Sequence, residues 1–157
     1  MNLAALSETG PECVHFASVA EIAAFLEHPC DLAVFHLSGA DLRSDDELLA
    51  HIAEAMSFPS YCGRTLQVLR TCLRDLAWHP APGYVLIVWD AELGTPTVLR
   101  ALRESWEVCA PYWLVPADHD EFCPLYPTPF HLVFVGREAV VFPPRKDEYG
   151  DLTERDL

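Results

Sequence analysis

Apolar residues fall into two spacings along the chain, and the two alternate. Leu32-Ala-Val-Phe-His-Leu37, Tyr84-Val-Leu-Ile-Val-Trp89 and Phe130-His-Leu-Val-Phe-Val135 are short, nearly continuous apolar runs bounded by turn residues. Runs of this length, rich in β-branched and aromatic residues, read as buried strands. The run at 84–89 is apolar throughout, which predicts a central strand covered on both faces. Val14–Phe16 reads as a further short strand. Between these runs, apolar residues recur every three or four positions, as on the buried stripe of a helix. Ile22, Phe25 and Leu26 mark one such stripe, and Leu48, Leu49, Ile52, Ala53 and Met56 a second. Leu66, Leu69, Cys72, Leu73 and Leu76 mark a third, and Val98, Leu99, Leu102 and Trp106 a fourth.

The ends of these elements carry their own chemistry. Ser18-Val-Ala-Glu21 and Ser44-Asp-Asp-Glu47 are capping-box patterns, in which a hydroxyl and a carboxylate satisfy free N–H groups at a helix start. His28-Pro29 and Phe58-Pro59 stop the first two helices. The third helix is expected from about Thr65 to Trp78, with Pro80-Ala-Pro82-Gly83 breaking it. Gly94-Thr95-Pro96 supplies a turn, a cap and a proline at the first position of the fourth. From Pro111 to Pro129 five prolines predict a loop. Gly136-Arg-Glu138 reads as a hairpin turn returning as Ala139–Phe142, and residues 143–157 as a charged tail. Strands separated by helices imply a small α/β domain with a parallel sheet, because parallel neighbours require crossovers. The expected division is an N-terminal extension at 1–30, a core domain at 31–142 and the tail at 143–157.

Composition agrees with a folded domain. The chain has 157 residues, 51% of them hydrophobic, which suffices for a core without covalent staples. Six cysteines stand at 13, 30, 62, 72, 109 and 123, with no Cys-x-x-Cys pair, so most are expected as buried free thiols. The formal net charge is −14. Residues 1–60 hold ten acids against Arg43 alone. Such a field repels a phosphate backbone and steers a basic protein into contact. The expectation is a protein partner and no direct nucleic acid. No apolar run is long enough to cross a membrane, and the first residues lack the pattern of a secretory signal. The expected address is the cytoplasm.

Catalytic chemistry finds little support. Seven histidines are scattered, and a dyad such as His119 with Cys123 has no nucleophile motif around it. Asp118-His119-Asp120-Glu121 reads as an exposed acidic loop before it reads as a metal site. No phosphate-binding glycine loop is present. The reading assigns no enzyme activity, no cofactor and no metal.

The most informative stretch runs from Phe58 to Asp75. Its Pro59-Ser-Tyr61-Cys-Gly63 turn leads into a helix with the core pattern Leu69-Arg-Thr-Cys72-Leu73. Together with the flanking strand, the capped helix and Leu86-Ile-Val-Trp89, it resembles the barstar family. The resemblance is continuous from about Asp31 to Trp106 and takes in Val98–Ser105 as that family's last long helix. It implies a three-stranded parallel sheet packed by helices, to which this chain would add an N-terminal strand and helix and a C-terminal hairpin strand. It also implies an inhibitor of a ribonuclease or other toxin nuclease, of the immunity or antitoxin kind. In that family the helix after the turn plugs the enzyme's active site with acidic side chains in place of RNA phosphates. The resemblance places partner contacts at Tyr61 and Gly63 in the turn and at Glu104 on the later helix. The two aspartate positions of the plug helix fall at Gln67 and Thr71, and the tryptophan between them at Arg70. The helix is therefore locally basic, with Arg64, Arg70 and Arg74 against Asp75. Three accounts of Gln67, Arg70 and Thr71 stand side by side: contacts to a different nuclease, a surface that has passed to another role, or a solvated helix face. The turn has a structural account too, since glycine permits positive φ and tyrosine can cap a core. The resemblance also places Trp89 in the core. The alternative to an inhibitor is a regulatory or scaffolding module of the same fold that binds a non-nuclease partner.

Overall fold

A computed structural model describes residues 6–7, 9, 12–60, 62–114 and 128–137. Among them are four strands and four helices: β1 (Val14–Ala17), α1 (Val19–Glu27), β2 (Ala33–Ser38), α2 (Asp45–Ala55), α3 (Leu66–Asp75), β3 (Tyr84–Trp89), α4 (Pro96–Leu114) and β4 (Phe130–Val135). The helices separate the strands, and two of them, α2 and α3, follow one another between β2 and β3.

The caps form as the side chains dictate. Ser18 Oγ accepts the Glu21 N–H at 3.2 Å, and the Glu21 carboxylate accepts the Ser18 N–H at 3.0 Å. Ser44 Oγ accepts the Glu47 N–H at 3.1 Å, but the Glu47 carboxylate reaches one residue further back, to the Arg43 N–H. Thr65 caps α3 through the Val68 N–H. That helix ends earlier than its apolar spacing predicts. Leu76 adopts a left-handed φ of 49° and turns the chain while its side chain stays buried. Trp78 therefore lies beyond the helix, and its indole N–H donates to the Met56 carbonyl.

The sheet has four parallel strands in the order β1-β4-β3-β2, so the expected count of three is corrected to four. The extra strand is β1, which pairs Val14 with Leu132 through Ala17 with Val135. The all-apolar β3 is interior, as its sequence predicts. β4 is interior as well, with β1 on one edge and β3 on the other. Both its hydrogen-bonding edges are thus taken, which leaves no edge for an antiparallel hairpin partner along Leu132–Phe134. The expected return strand at 139–142 and the tail at 143–157 lie outside the described residues.

Alternation along the strands divides the core in two. Phe35, Leu37, Tyr84, Leu86, Val88, Phe130, Leu132 and Phe134 face α2, α3 and α4. Val85, Ile87, Val133 and Val135 face α1 through Ile22 and Phe25. Each large side chain wholly removed from water here contributes roughly 1.5–3 kcal/mol. Trp106 of α4 is the largest, stacked on Phe130 with ring centroids 4.0 Å apart.

Two further expectations are corrected. α4 does not stop at Pro111 but carries it within its last turn and runs to Leu114. Buried Trp113 explains this, because its ring packs on Tyr84 and Phe130 and its indole N–H donates to the Leu73 carbonyl at 3.0 Å. Trp89, expected in the core, is half-buried and stacks on exposed His36 of β2. Its indole N–H donates to His36 Nδ1 at 3.0 Å.

Candidate functional site

α3 and α4 pack side by side, and their packing builds a continuous outer face. Leu69, Cys72 and Leu73 point inward from α3. Helical spacing then forces Gln67, Arg70, Thr71 and Arg74 toward the surface or the α4 seam. Gln67 and Thr71 are exposed, and the Thr71 hydroxyl donates to the Gln67 carbonyl at 3.1 Å. Arg70 is half-buried. Its Nε donates to Oγ of Ser105, a fully buried serine of α4, at 3.4 Å. One turn on, Arg74 lies over the Tyr112 ring at 4.9 Å and donates to its hydroxyl at 3.2 Å. Cys109 completes the seam by donating its thiol to the Arg70 carbonyl. Val108, exposed, lies one turn before Tyr112 on α4.

The expected contact residues are thus partly gathered. Gln67, Arg70 and Thr71 share one stretch of α3. Glu104 lies on α4 next to Ser105 and accepts from Arg100 Nε at 3.2 Å. Tyr61 lies outside the described residues. Gly63 is exposed just before α3 and has no left-handed φ, and an added Cβ would meet only the Val68 side chain at 3.7 Å. The backbone freedom of glycine is therefore not what the turn uses. Arg74 and Tyr112 were not among the expected contacts. Arg74 stands four residues after Arg70, which could have exposed it, but Tyr112 was hidden by a proline that read as the start of a loop.

The turn is tied to the helix covalently. Cys62 and Cys72 form a disulfide. The expectation that most cysteines are free thiols did not single out this pair. Cys72 keeps its core position, and Cys62 comes from the turn side. Cys13 and Cys109 are buried free thiols, each pushed up to about 11 by burial, and Cys30 is exposed. Thiols held protonated at neutral pH are poor nucleophiles.

Elsewhere, an open cleft of about 240 Å³ lies beside the free edge of β2, lined by His36, Ser38, Asp41, His51 and Glu54 among others. Among the described residues no three of His, Cys, Asp or Glu are grouped closely enough to hold a metal. The acidic loop at 118–121 and Cys123 lie outside them. Among the described residues no helix is long and apolar enough to cross a membrane.

A family model described as Barstar (barnase inhibitor) matches residues 32–113, more than half of the chain. The chain belongs to the barstar family. A search of curated proteins finds no match. The match spans β2 through the last turn of α4, and so contains the whole α3/α4 face. The strand β1 and helix α1 precede it, and β4 follows it. Within the matched range, the inward residues of α3 are Leu69, Cys72 and Leu73, and its outward residues are Gln67, Arg70, Thr71 and Arg74.

Proposed function

We propose that this barstar-family chain is a protein-binding inhibitor of a nuclease, acting as an immunity or antitoxin partner, and not an enzyme. The observation that carries the reading is the family match across the α3/α4 face. The net charge of −14 supports it, because long-range attraction speeds the docking of a basic protein. The proposed contacts are Tyr61, Gly63, Gln67, Arg70, Thr71 and Glu104. Residues 1–30 are proposed as an extension of the domain at 31–142, with 143–157 as a tail. The cytoplasm is the proposed address; the Cys62–Cys72 bond weighs against it, since disulfides are rare in reducing compartments.

The test is a titration of the purified chain into bacterial ribonucleases and deoxyribonucleases, including those encoded beside it. Stoichiometric loss of cleavage, weaker at high salt, is the expected result. If every nuclease runs uninhibited, the reading fails. A regulatory module with a non-nuclease partner is the second reading. It is favoured by Gln67 and Thr71 at the two positions where the resemblance calls for aspartate.

A further inference from the structure

We propose that the α3/α4 face receives a cluster of carboxylates on a partner protein. The proposal rests on the reading above that this face is the binding surface, and it names the chemistry of what docks there. Three arginines, Arg64, Arg70 and Arg74, fall within eleven residues of a chain whose net charge is −14. Among the described residues, no carboxylate lies within ion-pair distance of any of the three. The arginines of α4 behave differently: Arg100 pairs with Glu104 and Arg103 with Glu107. Among the described residues, the acids of α4 pair with its own arginines and not with those of α3.

The two central guanidinium groups are also held in place. Ser105 fixes Arg70 from the buried seam, and Tyr112 fixes Arg74 by its ring and its hydroxyl. Both holders are neutral, so they orient the cations without discharging them. A pre-oriented guanidinium forms paired charge-assisted hydrogen bonds with a carboxylate at small entropic cost. Exposed Val108 and the Tyr112 ring supply apolar area beside them, and Arg and Tyr are the residue types that anchor protein interfaces. A cationic catalytic cleft would be repelled at this point. A nuclease whose reaction centre is a group of metal-holding carboxylates satisfies both this charge and the inhibitor reading.

The probe is a synthetic twelve-residue peptide of alternating Asp and Glu, titrated into the full chain while amide shifts are followed by NMR. Shifts are expected at Arg70, Arg74 and Val108–Tyr112. In the double variant Arg70→Gln, Arg74→Gln the binding should weaken by about tenfold or more, as loss of charge-assisted hydrogen bonds requires, while the amide spectrum stays that of a folded chain. An Arg70→Lys, Arg74→Lys variant, which keeps the charge, should retain part of the affinity and guards against a variant that fails to fold. A lysine peptide of equal length should leave the α3 amides unmoved. Absence of shifts on α3 and α4, equal binding by the Gln variant, or tighter binding of a single-stranded RNA oligomer at the same amides would each overturn the proposal. Those outcomes are separate from the nuclease titration: peptide binding without inhibition removes the inhibitor reading alone, and nuclease inhibition that is as strong in the Gln variant as in the parent chain removes this proposal alone.

Discussion

His15 Nε2 and His131 Nδ1 lie 2.9 Å apart across the β1–β4 pairing, and both side chains are buried. A hydrogen bond between two imidazoles needs one donor and one acceptor, so the accepting ring is neutral when the bond is made. Burial, and then the neighbouring His131, lower the His15 pKa from its ordinary 6.5 to about 4. The unfolded chain therefore takes up this proton before the folded one does. The stability that neutral His15 contributes is complete above about pH 6.5 and drains away as the pH falls toward 4. The expected loss is on the order of 3 kcal/mol for this shift. Urea melts at pH 8 and pH 5 should register about 2 kcal/mol of it, since pH 5 lies about 1.5 pH units below the ordinary value, and His15→Leu should flatten the difference. An equal pH dependence in the variant would sink this account.

Gly63→Ala should leave stability within about 0.5 kcal/mol of the parent chain, as for a surface substitution away from special features. The position has an ordinary φ and room for a Cβ. Thermal melting checks the first half of the prediction. A partner-binding assay checks the second: loss of affinity with unchanged melting means that a partner approaches the backbone there.

Reduction of the Cys62–Cys72 disulfide should lower stability by about 2 kcal/mol, the cost of releasing a short covalent loop. Native alkylation should label exposed Cys30 before reduction and Cys62 in addition after it. Melting curves with and without a thiol-free reductant give the stability term. Identical alkylation patterns in the two states would remove the bond from the account.

Trp106→Ala should cost about 3–5 kcal/mol, the usual range for an aromatic cavity in a core. Trp106 is wholly buried, stacks on Phe130 and donates its indole N–H to the Phe130 carbonyl at 3.4 Å. Chemical denaturation measures the loss. Trp106→Phe, which keeps a ring on Phe130, should recover part of it.

Much of this fold is legible in the sequence because its signals are local. Ser18 and Ser44 start their helices where hydroxyl caps predict, and the strands at 84–89 and 130–135 have the bounds their apolar runs give them. What escaped were long-range facts. Nothing near Val14 says that its strand pairs at Leu132, because β1 is short and its partner is set by the whole sheet. Pro111 signals a break, yet the burial of Trp113 outweighs one missing hydrogen bond. On the candidate face, Gln67, Arg70 and Thr71 could be placed by helical spacing. The seam to Ser105, Cys109 and Tyr112 could not, since it depends on how two helices separated by β3 come together.

The position of β4 between β1 and β3 bears on how the chain is made. Among the described strands β1 is synthesised first and β4 last, yet β4 is the neighbour to which β1 is bonded. A nascent chain must hold β1 unpaired until β4 has left the ribosome. Closure of the sheet then waits on the most distant pairing in the domain, which slows folding relative to the helices that form early. A chain that terminates before Phe130 leaves β1 and the exposed flank of β3 without their partner, and its bare strand edges are open to pairing with other chains.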